Sequence, residues 1–275
     1  MIGSAPDRLL HPGDLAVAPD GTLVVQDGGN SRIQRFSRDG KFINGFSTTR
    51  YEGFAVSPNN EIYLGQPENG ALISVYSSTG KLLRSFGKLK EHSDLFGPES
   101  EPQNDAYRIA SNRIGMTVDR AGNIFVAFRA AGLIQQYKPD GSLVSEHWLQ
   151  GEQVDRLLEL STRHKYFTTG TDGVESRLLT FDITIEPNSG NLLLFMVDGS
   201  IHTVDHSGKI LFTLKATTEE NLRPFTPHTA GIGAKGEIIV VPFQYKRCFK
   251  LVPPSDRVVR GDNGGDTATT DTVRR

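Results

Sequence analysis

The pair Asp20-Gly21 returns as Asp39-Gly40 after 19 residues, and that interval recurs along the chain. Asn59-Asn60 precedes Thr79-Gly80 by 20 residues, Ala121-Gly122 precedes Asp140-Gly141 by 19, and Ser189-Gly190 precedes Ser207-Gly208 by 18. Turn-forming pairs at so steady a spacing mark an internal repeat, and each is expected to close a two-residue hairpin through the positive φ that Gly and Asn tolerate. Short apolar, β-branched segments lie between the turns. In the first unit Leu15-Ala-Val-Ala-Pro leads to Asp20-Gly21; Thr22-Leu-Val-Val-Gln-Asp, Arg32-Ile-Gln-Arg-Phe-Ser and Lys41-Phe-Ile-Asn-Gly-Phe follow. Segments of this length and composition read as strands, four to a unit, in an antiparallel meander.

Further units begin at Phe54, Met116, Ile183 and Gly231, the fifth without a clear outer strand. A lone four-stranded sheet leaves both faces wet, so such units must stack on one another, and radial stacking leaves only short edges. The expected fold is therefore all-β: a β-propeller of four-stranded antiparallel blades, five of them recognisable, as a five-bladed or incomplete six-bladed ring. Residues 1–254 form this domain, and the Asp-, Gly-, Thr- and Arg-rich tail 255–275 is expected to be disordered. Two longer segments, 88–113 and 150–178, separate units two, three and four; within the second, Asp155-Arg-Leu-Leu-Glu-Leu reads as a helical turn and His164-Lys-Tyr-Phe-Thr as a strand.

Thirty basic residues against thirty-two acidic ones give a net charge of −2. That balance provides no field to hold a polyanion, so no nucleic-acid partner is expected. The single cysteine, Cys248, excludes an internal disulfide and any zinc site built on several thiolates. The longest apolar run, Leu192 to Val197, is six residues, far short of the roughly 20 of a membrane-spanning helix. The first residues carry neither the basic start nor the apolar run of a secretory signal. As written the chain is expected in the cytoplasm, or in the periplasm or outside the cell if its N-terminus is incomplete.

Asp27, Asn30, Arg32-Ile33, Phe36 and Asp39-Gly40-Lys41-Phe42 closely resemble an NHL repeat, with weaker signatures at Glu68-Asn69, Ser78-Thr79-Gly80-Lys81, Pro139-Asp140-Gly141 and His206-Ser207-Gly208-Lys209. The resemblance spans about residues 11–252. It implies a β-propeller of the bacterial six-bladed kind, used in animals as a recognition module for proteins or RNA.

Loops converge where the innermost strands begin, so that end of the propeller is where function is expected. Aligning the units places Asp14, Tyr51, Glu52, Asn112, Arg113, Asp182 and His228 around this mouth. The reading this favours is a non-catalytic binding or scaffold module for a protein, peptide or saccharide, with no cofactor. The alternative is a metal-dependent propeller enzyme of the lyase or lactonase type, in which Glu52, Asn112, Asp182 and His228 would hold calcium or zinc, since carboxylate, amide and imidazole suit such ions. Pro227-His228 resembles the Pro-His of peptidyl-hydroxyglycine lyase repeats. The Glu-Gly-Pro opening of gluconolactonase-like hydrolases is absent.

The remaining candidates have plain structural readings. His92, His147, His164, His202 and His206 show no metal spacing and are expected at the surface. Trp148 is expected to cover a blade edge, Cys248 to sit half-buried on a strand, and Arg260-Gly261-Asp262 to be a chance tripeptide. Arg32, Arg35, Arg38, Arg50, Arg108 and Arg113 would need to share one face to bind phosphate, and strand alternation scatters them.

Overall fold

The computed structural model of the chain describes residues 3–49, 51–98, 104–162, 167–169, 175–186, 188–216, 227–232, 238–242, 249–251, 266–268 and 270–272. Arg50, His164, Cys248 and the tripeptide 260–262 lie outside the described residues, as does the side chain of His228. The chain divides into two compact units, one of residues 1–91, 112–126 and 136–145, the other of 92–111, 127–135 and 146–275.

Four sheets are sequential antiparallel meanders. The first holds β1 (Pro12–Val17), β2 (Leu23–Asp27), β3 (Arg32–Phe36) and β4 (Phe42–Ser47). The second holds β5 (Phe54–Val56), β6 (Ile62–Gly65), β7 (Ile73–Tyr76) and β8 (Leu82–Phe86), and the third β9 (Ile114–Val118), β10 (Ile124–Phe128), β11 (Leu133–Tyr137) and β12 (Leu143–Trp148). After a hairpin of β13 (Phe167–Thr169) and β14 (Glu175–Arg177), the fourth holds β15 (Thr180–Ile185), β16 (Leu192–Met196), β17 (Ser200–Val204) and β18 (Ile210–Ala216). This is the all-β, bladed architecture of a β-propeller. Two of its middle strands, Ile124–Phe128 and Leu192–Met196, are apolar and buried along their whole length, because both of their faces are covered.

The fifth sheet, β19 (Pro227–Ile232), β20 (Ile238–Pro242) and β21 (Phe249–Leu251), takes its outer strand from the C-terminal tail. Within the tail 255–275, β22 (Asp266–Ala268) adds in parallel to β18, and β23 (Thr270–Thr272) pairs with β21. The recurring threonines favour extended backbone, and β23 covers the edge of β21 that faces away from β20. The insertion at 88–113 contains helices α1 (His92–Phe96) and α2 (Asp105–Ser111), and that at 150–178 contains α3 (Glu152–Thr162) before the β13–β14 hairpin. Neither forms a four-stranded sheet among the described residues, and no helix there is long and apolar enough to cross a membrane.

The turns differ from the two-residue form. In each dipeptide only the second residue has positive φ: 79° at Gly21, 80° at Gly40, 61° at Asn60, 87° at Gly80 and Gly122, 90° at Gly141, 75° at Gly190 and 85° at Gly208. At the first turn Gly21 N–H donates to Ala18 O at 2.9 Å and Ala18 N–H to Thr22 O at 2.8 Å. These bonds define a three-residue loop, a type I turn closed by one left-handed residue.

The outer-turn glycines also answer to packing. In the first unit Phe46 of β4 lies where a Cβ on Gly80 would stand, and Phe86 of β8 lies 2.7 Å from a Cβ built on Gly141. In the second unit the Trp148 carbonyl stands 2.5 Å from such an atom on Gly208. The ends of β4, β8 and β12 thus press onto the next blade's outer turn. Ala18, Val24 and Ile33 from the first blade close a core with Tyr51, Phe54, Ile62 and Leu64 from the second. Arg84 grips both oxygens of Glu61 at 2.8 Å, the Tyr63 hydroxyl at 2.9 Å and the Pro139 carbonyl at 2.8 Å, tying the second blade to the third.

A methyl group added at Gly21 would meet no atom within 4 Å, whereas one at Gly141 would meet Phe86. Gly21→Ala is expected to cost about 1–2 kcal/mol for its φ alone, and Gly141→Ala about 1–3 kcal/mol more for the overlap with Phe86. Urea midpoints of the two variants measure the difference; equal losses would refute the packing role.

Candidate functional site

Inner strands β1, β5 and β9 lie side by side in the first unit, and β15 and β19 in the second. Their starting ends carry the residues singled out from sequence. Three of these strands open with a bulge: between Pro12 and Leu15 in β1, between Thr180 and Asp182 in β15, and between Pro227 and Thr229 in β19. Bulges re-aim side chains at strand ends, and Asp14, Asp182 and His228 fall at or beside these three. In both acidic cases the carboxylate turns back on its own strand. Leu15 N–H donates to Asp14 Oδ1 at 2.7 Å, and Ile183 N–H donates to Asp182 Oδ1 at 2.8 Å. Burial pushes the Asp14 carboxyl above its ordinary value despite that hydrogen bond.

The other four residues meet at the same end of the first unit. Arg113, whose side chain is 7% exposed, pairs through Nε with Glu52 Oε1 at 3.2 Å. Glu52 is held by its main chain, its N–H donating to Gly65 O at 2.9 Å, and Gly65 N–H returns to Gly53 O at 3.0 Å. Asn112 is fully buried and its amide meets the Lys90 main chain twice: Lys90 N–H donates to Oδ1 and Nδ2 donates to Lys90 O, each at 2.8 Å. It mimics a strand partner and fastens the base of the 88–113 insertion. Tyr51 belongs to the core between the first two blades. Burial, reinforced by the charges of Asp14 and Asp27, drives its phenol far above the usual range. The first unit therefore gathers Asp14, Tyr51, Glu52, Asn112 and Arg113, and Asp182 and His228 hold the corresponding strand ends of the second.

Sequence reading missed the strongest polar centre. Asp27, at the end of β2, is 0% exposed and accepts from Leu10 N–H at 2.6 Å, Asn30 Nδ2 at 2.8 Å, Arg32 Nε at 2.6 Å and Gln34 Nε2 at 2.8 Å. Burial opposes its charge, but the four donors outweigh burial and hold the carboxyl below its ordinary value. The same donors grip residues 3–8. Arg32 donates to the carbonyls of Ser4 at 2.9 Å, Ala5 at 2.8 Å and Arg8 at 2.7 Å, Gln34 to Arg8 O at 2.6 Å, and Asn30 to Gly3 O at 3.1 Å. In the second blade Gln66 takes this place, not Glu68. It receives Asn69 Nδ2 at 3.2 Å and the Tyr76 hydroxyl at 2.8 Å, and donates to the hydroxyls of Thr48 and Thr49 at 2.8 Å. Ala71 stands where Arg32 would recur, so a neutral amide replaces the carboxylate. The visible signal was the common spacing, Asp27-x-x-Asn30 and Gln66-x-x-Asn69.

Other candidates settle into the scaffold. Arg32 and Arg35 pair with Asp27 and Asp20 at 2.6 and 2.8 Å, and Arg108 lies 3.6 Å from Asp105. His206 bonds Gly190 O at 2.8 Å. His202, expected at the surface, is buried at 1% exposure because its middle strand is covered on both faces. Trp148 is 42% exposed. Among the described residues no three His, Cys, Asp or Glu side chains stand close enough together to hold a metal ion.

The sequence profile of the NHL repeat matches residues 9–36, the span containing the Asp27 hub. The chain carries an NHL repeat. Solved structures of similar fold include virginiamycin B lyase from Staphylococcus aureus, with a TM-score of 0.53 and 14% identity over 87% of this chain and 66% of that one. A streptogramin B lyase aligns with a TM-score of 0.51 and 15% identity over 86% and 64%. A protein of unknown function from Bacteroides caccae aligns with a TM-score of 0.51 and 14% identity over 84% and 68%. The chain spans just under two thirds of the length of either lyase, and at these identities the likeness is one of fold.

Asp27→Asn is expected to lower stability by about 3–5 kcal/mol, because it leaves the Arg32 guanidinium without its buried counter-charge. The acid side has a definite sign. A depressed carboxyl stabilises the fold above its unfolded value of 3.8 and loses that contribution as pH falls through the lower folded value. The variant's stability should therefore vary less with pH below 4 than the wild type's. Unfolding curves between pH 2.5 and 7 check both; parallel pH profiles would contradict the hub.

Proposed function

We propose that this protein is a binding or scaffold module whose ligand, a protein, peptide or saccharide, meets the inner-strand end of the first unit. The observation that carries the reading is how the polar groups there are used. The amide of Asn112 is committed to Lys90, and the Arg113 guanidinium meets Glu52. A half-buried carboxylate at Asp14 and the Glu52–Arg113 pair then form a rigid edge of alternating charge, with little side-chain freedom to lose on binding. Arg is a frequent energetic anchor in such surfaces. Asp182 and His228 occupy the matching position in their own unit and extend the proposal to it. No cofactor is needed.

A second reading has specific support in two structural neighbours whose names make them lyases of virginiamycin B and streptogramin B. In that reading this chain is a metal-dependent enzyme with ligands from Glu52, Asn112, Asp182 and His228. The commitment of Asn112 to the Lys90 main chain supports the binding module instead.

Probing the purified protein against peptide and glycan arrays is expected to find ligands whose binding drops at least tenfold in Glu52→Gln and Arg113→Ala, with melting curves confirming that the variants fold. Incubation with a streptogramin B and added calcium, magnesium or zinc is expected to leave the substrate intact. A cleaved substrate, or a stoichiometric metal lost on Glu52→Gln, would overturn the proposal in favour of the enzyme.

A further inference from the structure

The second unit contains a histidine that the functional reading does not use. His202 sits in β17 opposite Thr213 of β18 and Leu194 of β16, so its ring shares a sheet face with Thr213. His202 Nδ1 and the Thr213 hydroxyl are 2.8 Å apart, and the Thr213 hydroxyl donates to Gln153 Oε1 of α3 at 2.8 Å. Because that hydroxyl proton is given to Gln153, Nδ1 carries the hydrogen and Thr213 accepts it. The neutral ring is therefore the Nδ1–H tautomer, with the lone pair on Nε2. Nε2 is buried with no hydrogen-bond partner among the described residues. The relay runs from a side chain 1% exposed to a helix residue at the surface.

The helix is seated from two sides. Its leading residues join the outer hairpin of the fourth blade, where Gln150 N–H donates to Gly208 O at 3.2 Å and Gln150 bridges Lys209. On the other side Leu149 N–H donates to Gly132 O at 2.6 Å, and Val154 and Leu157 of α3 are buried. Adding a proton to Nε2 would create a second N–H and a full charge where no acceptor waits, which strongly favours any rearrangement that admits water. Release of α3 is such a rearrangement, since the helix end reaches the face that His202 shares with Thr213.

We propose that His202 is an acid-sensitive latch: protonation of its buried imidazole unseats α3 from the fourth blade. Asp198, in the turn leading into β17, is the charged group that favours the proton, and burial outweighs it, pulling His202 from 6.5 down to about 4. Glu152, Asp155 and Arg156 stand next to Gln153 along α3, and Asp205 and Lys209 lie in the β17–β18 turn. The sign follows from the depressed value. Seating is unaffected above pH 6.5 and weakens as pH falls from 6.5 towards 4. If the released ring titrates as in water, the seating equilibrium weakens roughly 70-fold between pH 7.5 and 4.5.

Hydrogen exchange of residues 152–162, corrected for intrinsic rates, tests the latch in the full chain. Wild-type α3 is expected to lose protection by about that factor between pH 7.5 and 4.5 while the first blade keeps its own. His202→Gln, which cannot titrate, is expected to keep α3 protection constant over the range. The surface variant Gln153→Ala cuts the relay without touching the core, and is expected to reduce α3 protection already at pH 7.5 and to flatten its pH dependence. Nitrogen-15 shifts of the imidazole at pH 6 should report a neutral Nδ1–H ring. A charged ring or the Nε2–H tautomer at pH 6, or loss of α3 protection that is the same in wild type and His202→Gln, would overturn the proposal.

Discussion

A four-stranded sheet has two apolar faces and cannot cover either by itself, so everything in this protein depends on how closely one blade approaches the next. The approach is limited by side chains at the outer turns. Glycine at positions 80, 141 and 208 removes the limiting atom, and Phe46, Phe86 and the Trp148 main chain fill the space. The contact also explains why the turn dipeptides keep their interval along the chain. A residue added to an outer hairpin would move its glycine out from under the preceding blade's aromatic ring. Tyr51, Phe54 and Leu64 from one blade and Val24 and Ile33 from another then share a single apolar core.

Burying a charge or an amide inside such a stack is costly unless hydrogen bonds compensate it. Asp27 and Gln66 solve this problem in two ways at equivalent strand ends, one as a carboxylate facing a guanidinium, the other as an amide that both donates and accepts. Each seizes the chain that enters its own blade: residues 3–10 in the first case, Thr48 and Thr49 in the second. The NHL signature is thus a device for fastening the incoming chain, and its charged form appears where Arg32 is present to balance it. His202 differs from Asp27 and Gln66, since its Nε2 has no partner among the described residues.

At the inner-strand end the same economy shapes the proposed binding edge. Bulges in β1 and β15 turn Asp14 and Asp182 back onto the amides of their own strands, which fixes the aim of each carboxylate. Arg113 is nearly buried yet charged, and its pairing with Glu52 fixes the direction in which both are presented. Groups held this way suit recognition of a shape and charge pattern, in line with the proposed module.

By itself the sequence determined the repeat, the strands of the first four blades and the strand starts beside which Asp14, Glu52, Asn112 and Arg113 fall, because alternation, turn residues and period are local properties of the chain. The turn type escaped it: a two-residue and a three-residue hairpin both place Gly after Asp, and only the hydrogen bonds from Ala18 and Gly21 distinguish them. Also hidden were the outer strand supplied by Thr270–Thr272, the commitment of Asn112 to Lys90 and the burial of His202. Each of these joins groups distant along the chain, and the energy of such a contact exists only after folding has brought its two sides together. Tertiary structure alone decided which polar residues the scaffold consumes and how the others are presented.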